Sequence, residues 1–222
     1  MIAAVSGLIA GLTHALMGPD HVAAVTPLAL EQRPNPWISG IRWGLGHSLG
    51  VGIVGLAFLY LRDVLPLHKI SASGERLVGI TLILIGAWAF KKALRIKLHT
   101  HRHEHGGSSH THLHTHRQDP THDHGSTAHA ALGVGTLHGL AGSSHFIGVL
   151  PSLALPTTAD SIAFLIGFGV GTILAMAGLT TLLGSFAHRL QQSATSAYRY
   201  TLATSACVTG GVGVFWLFSG GA

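Results

Sequence analysis

The chain is poor in charge. Only 9% of its 222 residues are Asp, Glu, Lys or Arg, where a soluble domain usually carries about 25%. None of these occurs between Met1 and Pro19, and after Asp20 and His21 the chain stays apolar to Leu30. Cysteine is nearly absent too: Cys207 stands alone in an apolar run, which excludes an internal disulfide and a thiolate metal cluster. There is no HExxH pattern of the metalloprotease kind. No basic region precedes the first apolar run, so a cleaved signal peptide is not expected.

What is present suits a bilayer. Hydrophobic residues make up 47%, glycine numbers 30 and the mean hydropathy is +0.45. The length allows about six spans of roughly twenty residues. Apolar segments run over Ile2–Leu30, Trp37–Leu61, Leu77–Phe90, Ala130–Leu155, Ser161–Ala187 and Tyr200–Phe218. The third is short, but Lys91 and Lys92 can snorkel and extend it toward Leu94. Trp37, Trp43, Trp88 and Trp216 fall near segment ends, as an interfacial aromatic belt would place them. The net charge of +5 lies mostly in loops and reads as a topology signal, with no nucleic-acid partner implied.

An ionised group inside a bilayer is costly, so Asp20 is a candidate site by default. The plainer reading makes it the cap of a helix starting behind Pro19, yet a cap does not require His14 and His21 beside it. On an unbroken helix those histidines would share a face but stand about 10 Å apart. One ion with bonds near 2 Å could not take both. Pro19 lacks an N–H and Gly18 tolerates unusual dihedrals. The sequence therefore predicts a first helix broken at Gly18-Pro19, folded so that Asp20 and His21 approach His14. Broken helices lining a site are a device of transporters.

The two halves repeat. Shifted by 124 positions, Gly11, His14, Leu16, Gly18, His21, Val25 and Pro27 fall on Gly135, His138, Leu140, Gly142, His145, Val149 and Pro151. That is seven identities in seventeen positions, where biased composition would give about one or two. A looser match sets Gly44, Gly46, Gly55 and Leu56 on Gly167, Gly169, Gly178 and Leu179. Three spans per half is odd, so the second half enters the membrane from the opposite side. The expected fold is an all-α integral membrane protein of six transmembrane helices in a 3+3 inverted-topology repeat. Residues 1–95 and 129–222 form the halves and 96–128 a linking loop. The second copy keeps both histidines but has Ser144 where the first has Asp20, so the site is asymmetric. Alternatively, His138 and His145 serve only as interhelical hydrogen-bonding groups.

Residues 99–124 hold ten histidines and almost no apolar side chains. Such a segment cannot build a core and is expected to lack structure without metal. Imidazole suits nickel, copper, zinc and cobalt, so it reads as a metal buffer or as a dispensable linker. With the N-terminus outside, Arg33, Lys91, Lys92, Arg95, Lys97, Arg102, Arg117, Arg189 and Arg199 lie inside, against Arg62, Lys69 and Arg76 outside. The positive-inside rule thus places both termini outside and the His-rich loop in the cytoplasm of a multi-pass protein of the bacterial inner membrane.

His47, in WGLGHSLGVG, can join the site from the second segment or be satisfied by a backbone carbonyl. The candidate metal ligands are His14, Asp20, His21, His47, His138 and His145. Imidazoles with one carboxylate and no thiolate favour nickel, cobalt or zinc over magnesium or calcium.

HALMGPDHVAAV, followed by WGLGHS and HGLAGSSH, resembles the nickel/cobalt transporter superfamily, and most closely its short UreH-like urease-accessory permeases, related to the NicO group. The hallmark of that superfamily is a histidine followed by Asp-His after four intervening residues. Here five intervene, Ala15 to Pro19, so Gly18 reads as an insertion that bears on ligand geometry. The resemblance implies His14, Asp20 and His21 as metal-recognition residues, His47 through LGHS, and less specifically the second-half histidines. It implies a permease for Ni2+ or Co2+, with no prosthetic group and no enzymatic activity.

The expected partners are the lipid bilayer and the divalent ion, with a cytoplasmic metal acceptor at the His-rich loop and homo-oligomers allowed by the Gly-rich faces. Import and export both fit the residues. If histidine protonation triggers release, uptake should weaken below about pH 6.5. A membrane metalloenzyme is the competing class, and no second buried carboxylate is expected to act as its general base. A sensor or storage protein built on the His-rich loop is the third.

Overall fold

The structure, a computed structural model, describes residues 1–31, 35–61, 67–96, 99–105, 108–114, 126–141 and 150–219. Helices α1 (Ile2–Met17), α2 (Pro19–Glu31), α3 (Pro36–Leu61) and α4 (Leu67–Arg95) lead to strands β1 (His99–His105) and β2 (Ser108–His114). Then come α5 (Ser126–Ala141), α6 (Thr158–Ser193) and α7 (Thr195–Ser219).

The first apolar segment breaks where the sequence places it. Helix α1 stops at Met17, Pro19 opens α2, and the axes bend by 70°. Proline suits the first turn because its missing N–H would have no intrahelical acceptor there. Gly18 does not serve by unusual dihedrals, for its φ of −72° and ψ of 109° are ordinary extended backbone. Space is what requires glycine: a Cβ at Gly18 would run into His21 Nδ1 and reach 3.0 Å from Asp20 Oδ1.

Ser73–Arg95 within α4, Thr158–Ser193 and Ser196–Ser219 are long and apolar enough to cross a membrane, and the bent α1–α2 pair makes up to four such spans among the described residues. Polarity runs inward. Leu45, Leu49, Ile53 and Leu56 on α3, and Ile162, Ile166, Val170 and Leu174 on α6, point outward, while Asp20, His21, His47, His138, Thr172 and Thr209 are buried. That distribution suits apolar solvent outside the bundle. The third segment is longer than its apolar core suggests, since α4 extends from Leu67 to Arg95.

Small residues set the packing. A Cβ at Gly7 would strike the Phe164 carbonyl and one at Gly11 that of Phe168, so α1 and α6 run parallel at close approach. Gly135 meets the Trp43 carbonyl and Gly139 that of His47, so α5 and α3 are parallel too. Gly40 against Met176 and Gly44 against Ile173 make α3 and α6 antiparallel, and Gly79 against Gly213 with Gly86 against Ala206 does the same for α4 and α7. Gly46 lies against Leu132 and Thr136 of α5 as Gly171 lies against Leu8 and Leu12 of α1. In that register Gly46 answers to Gly171, two positions from the Gly169 that the sequence match selects.

Of the four tryptophans, Trp37 alone is largely exposed. Trp43 is fully buried, and Trp88 and Trp216 are half-buried against the core. The belt reading therefore does not hold for Trp43, whose indole is drawn in by the histidines described below.

The His-rich segment also departs from the expectation of no structure. Strands β1 and β2 pair in antiparallel register, His99 with His114, His101 with His112 and His103 with His110, and Gly106-Gly107 stand between them in the sequence. A Gly-Gly pair between alternating runs is a hairpin signal that composition alone conceals.

Candidate metal centre

Four helices bring their polar residues to one point. His14 comes from the last turn of α1, Asp20 and His21 from the first turn of α2, His47 from the middle of α3 and His138 from the end of α5. Asp20 is 3% exposed, His138 2%, and His21 and His47 0%. Burying such groups away from water is costly unless they meet partners.

Asp20 joins two of them. His21 Nδ1–H donates to Asp20 Oδ1 at 2.9 Å, and His138 Nε2–H donates to Asp20 Oδ2 at 3.0 Å. The direction follows because an ionised carboxylate accepts only. In the neutral rings the lone pairs then reside on His21 Nε2 and His138 Nδ1.

The remaining imidazoles close around His21. Its ring centroid lies 4.6 Å from His14, 4.8 Å from His47 and 4.8 Å from His138. Two triads could hold a metal ion, His14 with His21 and His47, and Asp20 with His21 and His138. Within each triad the ligand atoms lie within 4.8 Å of one another. Both are rich in imidazole and lack sulfur, a donor set suited to nickel, cobalt, copper or zinc.

Five of the six residues singled out from the sequence thus converge. The sixth, His145, lies outside the described residues, as does Ser144. Sequence reasoning missed two aromatic walls. Trp43 stacks on His47 at 4.9 Å with 8° between planes and meets His21 edge-on at 5.4 Å. Phe168 of α6 stands 5.2 Å from His14. The near-repeat of α3 in α6 was the available signal, since the packing register that equates Gly46 with Gly171 equates Trp43 with Phe168.

A second buried carboxylate does exist, contrary to expectation. The Glu31 side chain, 5% exposed, pairs with Lys92 of α4, and Tyr198 OH of α7 donates to its Oε1 at 3.2 Å. Eleven residues of helix, about 16 Å, separate it from Asp20, so it belongs to the far end of α2. Tyr198 OH also reaches the Leu30 carbonyl at 3.2 Å, and Lys92 Nζ lies 5.0 Å from the Trp88 ring.

Known proteins resemble this chain over most of its length. Chloroplast protein FOR GROWTH AND FERTILITY 1 of Arabidopsis thaliana is 36% identical over 188 residues, 84% of this chain and 51% of the plant protein. Chloroplast protein FOR GROWTH AND FERTILITY 2 of the same plant is 34% identical over 188 residues, 84% of this chain and 48% of its own. The chain therefore spans about half the length of these plant relatives. Urease accessory protein UreH of Bacillus sp. (strain TB-90) is 32% identical over 182 residues, 80% of this chain and 74% of UreH. No family model and no solved structure matches. None of the three relatives is named as an enzyme. With apolar spanning helices, a buried imidazole cluster and identity extending over most of UreH, this helical membrane protein belongs to the family of the urease accessory protein UreH.

Proposed function

We propose that the protein is a secondary carrier for a divalent transition-metal ion, nickel first and cobalt or zinc next, which it holds among His14, Asp20, His21, His47 and His138. The observation that carries this reading is the buried Asp20 carboxylate shared by His21 and His138, one from each half of the chain. A structural cap would need one partner, and two overlapping triads of metal-binding donors exceed what packing asks of a membrane helix. The resemblance to nickel/cobalt permeases and the kinship with UreH point the same way.

Transport by two opposed repeats fits the helix directions. Helices α1 and α6 run one way and α3 and α5 the other, and α4 and α7 oppose each other, so α5 opposes α1 as an inverted copy would. Six crossings follow if the α1–α2 pair counts as one and the apolar segments that hold α3 and α5 also span. In this arrangement the termini lie outside and residues 99–124 in the cytoplasm, where the histidines can hand metal to an acceptor.

The ion sheds part of its water and is held by imidazoles, and it crosses as one repeat rocks against the other. Asp20 supplies the one negative charge. Glu31 is spoken for by Lys92, so among the described residues no further carboxylate stands at the cluster to serve as a hydrolytic base. Proteoliposomes holding the full chain test the reading with nickel, cobalt and zinc under imposed pH gradients. Saturable entry of at least one of these ions is expected, and metal that binds without entering the lumen would contradict it.

A further inference from the structure

We propose that the cluster comprises two overlapping stations sharing His21, and that movement of the ion between them exchanges a hydrogen-bonded bridge between the halves for a metal-bonded one. The inference rests on the carrier reading above.

The two triads differ in origin and in chemistry. His14, His21 and His47 come from α1, α2 and α3, all in the first half, and are all imidazole. Asp20, His21 and His138 span both halves, with α5 supplying His138, and include the carboxylate. Among the described residues no single group gathers all five donors within the same reach. The His47 and His138 rings are 6.1 Å apart and His14 and His47 5.7 Å apart, against 4.6 to 4.8 Å for each ring from His21. Donors on a tetrahedral ion with bonds of about 2.0 Å stand about 3.3 Å apart. Each triad must therefore draw in around its ion, and an ion fully drawn into one leaves the outer donors of the other.

Asp20 has a different part at each station. With the ion at the imidazole triad, both carboxylate oxygens keep their bonds to His21 and His138, so α2 and α5 remain tied and Asp20 acts by holding the His21 ring. Asp20 is then a positioning residue. With the ion at the second triad, the metal competes for those same oxygens, and the link from α2 to α5 runs through the ion. Occupancy of the second station is thus felt directly at the interface between the halves, where a rocking motion must act.

Co2+ reads the stations through its visible spectrum in the full-length chain, with the ten histidines of residues 99–124 changed to asparagine so that the bundle donors dominate. Asp20→Asn is expected to keep an imidazole-type spectrum with affinity lowered about 10–100-fold, while nickel flux into liposomes stays below a tenth of wild type even at saturating metal. His138→Gln is expected to behave likewise, which guards against a folding defect peculiar to Asp20. His47→Gln is expected to lose that spectrum. Loss of Co2+ binding in Asp20→Asn and His47→Gln together, or wild-type flux of Asp20→Asn at saturation, would overturn the two-station inference. Imidazole-type spectra kept by Asp20→Asn and His138→Gln and lost by His47→Gln, with no nickel flux in the wild type, would overturn the carrier reading and leave the stations standing.

Discussion

Asp20 Oδ2 accepts a hydrogen bond from His138 Nε2 at 3.0 Å, across 118 positions of sequence and between the broken first segment and α5. The bond ties the two halves at the one buried carboxylate of the cluster.

The close glycine contacts between the halves are expected to be intolerant of bulk. A Cβ at Gly135 would strike the Trp43 carbonyl, whereas at Gly133 it meets nothing within 4 Å. Gly135→Ala should lower stability by about 1–3 kcal/mol. Gly133→Ala should be neutral or stabilise by up to about 1 kcal/mol. Thermal unfolding of both variants in one detergent checks the contrast, and equal behaviour would mean that α5 and α3 do not pack in this register.

At the far end of α2, Glu31 and Lys92 form a pair in which the carboxylate is buried and the ammonium partly exposed. Removing Glu31 takes the carboxylate from both the Lys92 ammonium and the Tyr198 hydroxyl, so Glu31→Ala should cost on the order of 2 kcal/mol. The exchanged pair, Glu31→Lys with Lys92→Glu, should recover part of that loss. Melting temperatures of the three proteins decide it: no recovery in the exchanged pair would assign the effect to Tyr198 and packing.

Trp43 holds His47 by a flat stack at 4.9 Å. An aromatic pair of this kind contributes about 0.5–1.5 kcal/mol, so Trp43→Ala should raise the metal concentration for half-maximal flux by up to about tenfold. Trp43→Phe should restore most of it. Failure of phenylalanine to rescue would point to the indole N–H in place of the ring face.

In the His-rich segment β1 and β2 pair with each other, and the segment is expected to tune supply. Replacing its histidines should leave initial nickel flux at high metal within about twofold of wild type and reduce accumulation at low metal. Abolished flux at high metal would make the hairpin part of the path.

Much of the centre is legible in the sequence because the bilayer makes polarity conspicuous. Asp20 among apolar neighbours, the Gly18-Pro19 pair and the 124-residue shift from His14 to His138 each announce themselves. What stays hidden depends on depth and register. Trp43 sits near a segment end, where an interfacial residue and a site wall look alike. Glu31 follows an apolar run and reads as a loop charge, because its partner Lys92 is sixty-one positions away. The match between α3 and α6 is drawn to the wrong glycines, since Gly167, Gly169 and Gly171 alternate and identity alone cannot choose among them. The histidine hairpin is masked by its own composition.

His21 belongs to both triads, so nickel entry into liposomes carrying His21→Gln tests the account most directly. Its flux should fall to the protein-free background while the variant keeps the melting temperature and elution volume of the wild type. Nickel entry at the wild-type rate in that variant would contradict the account.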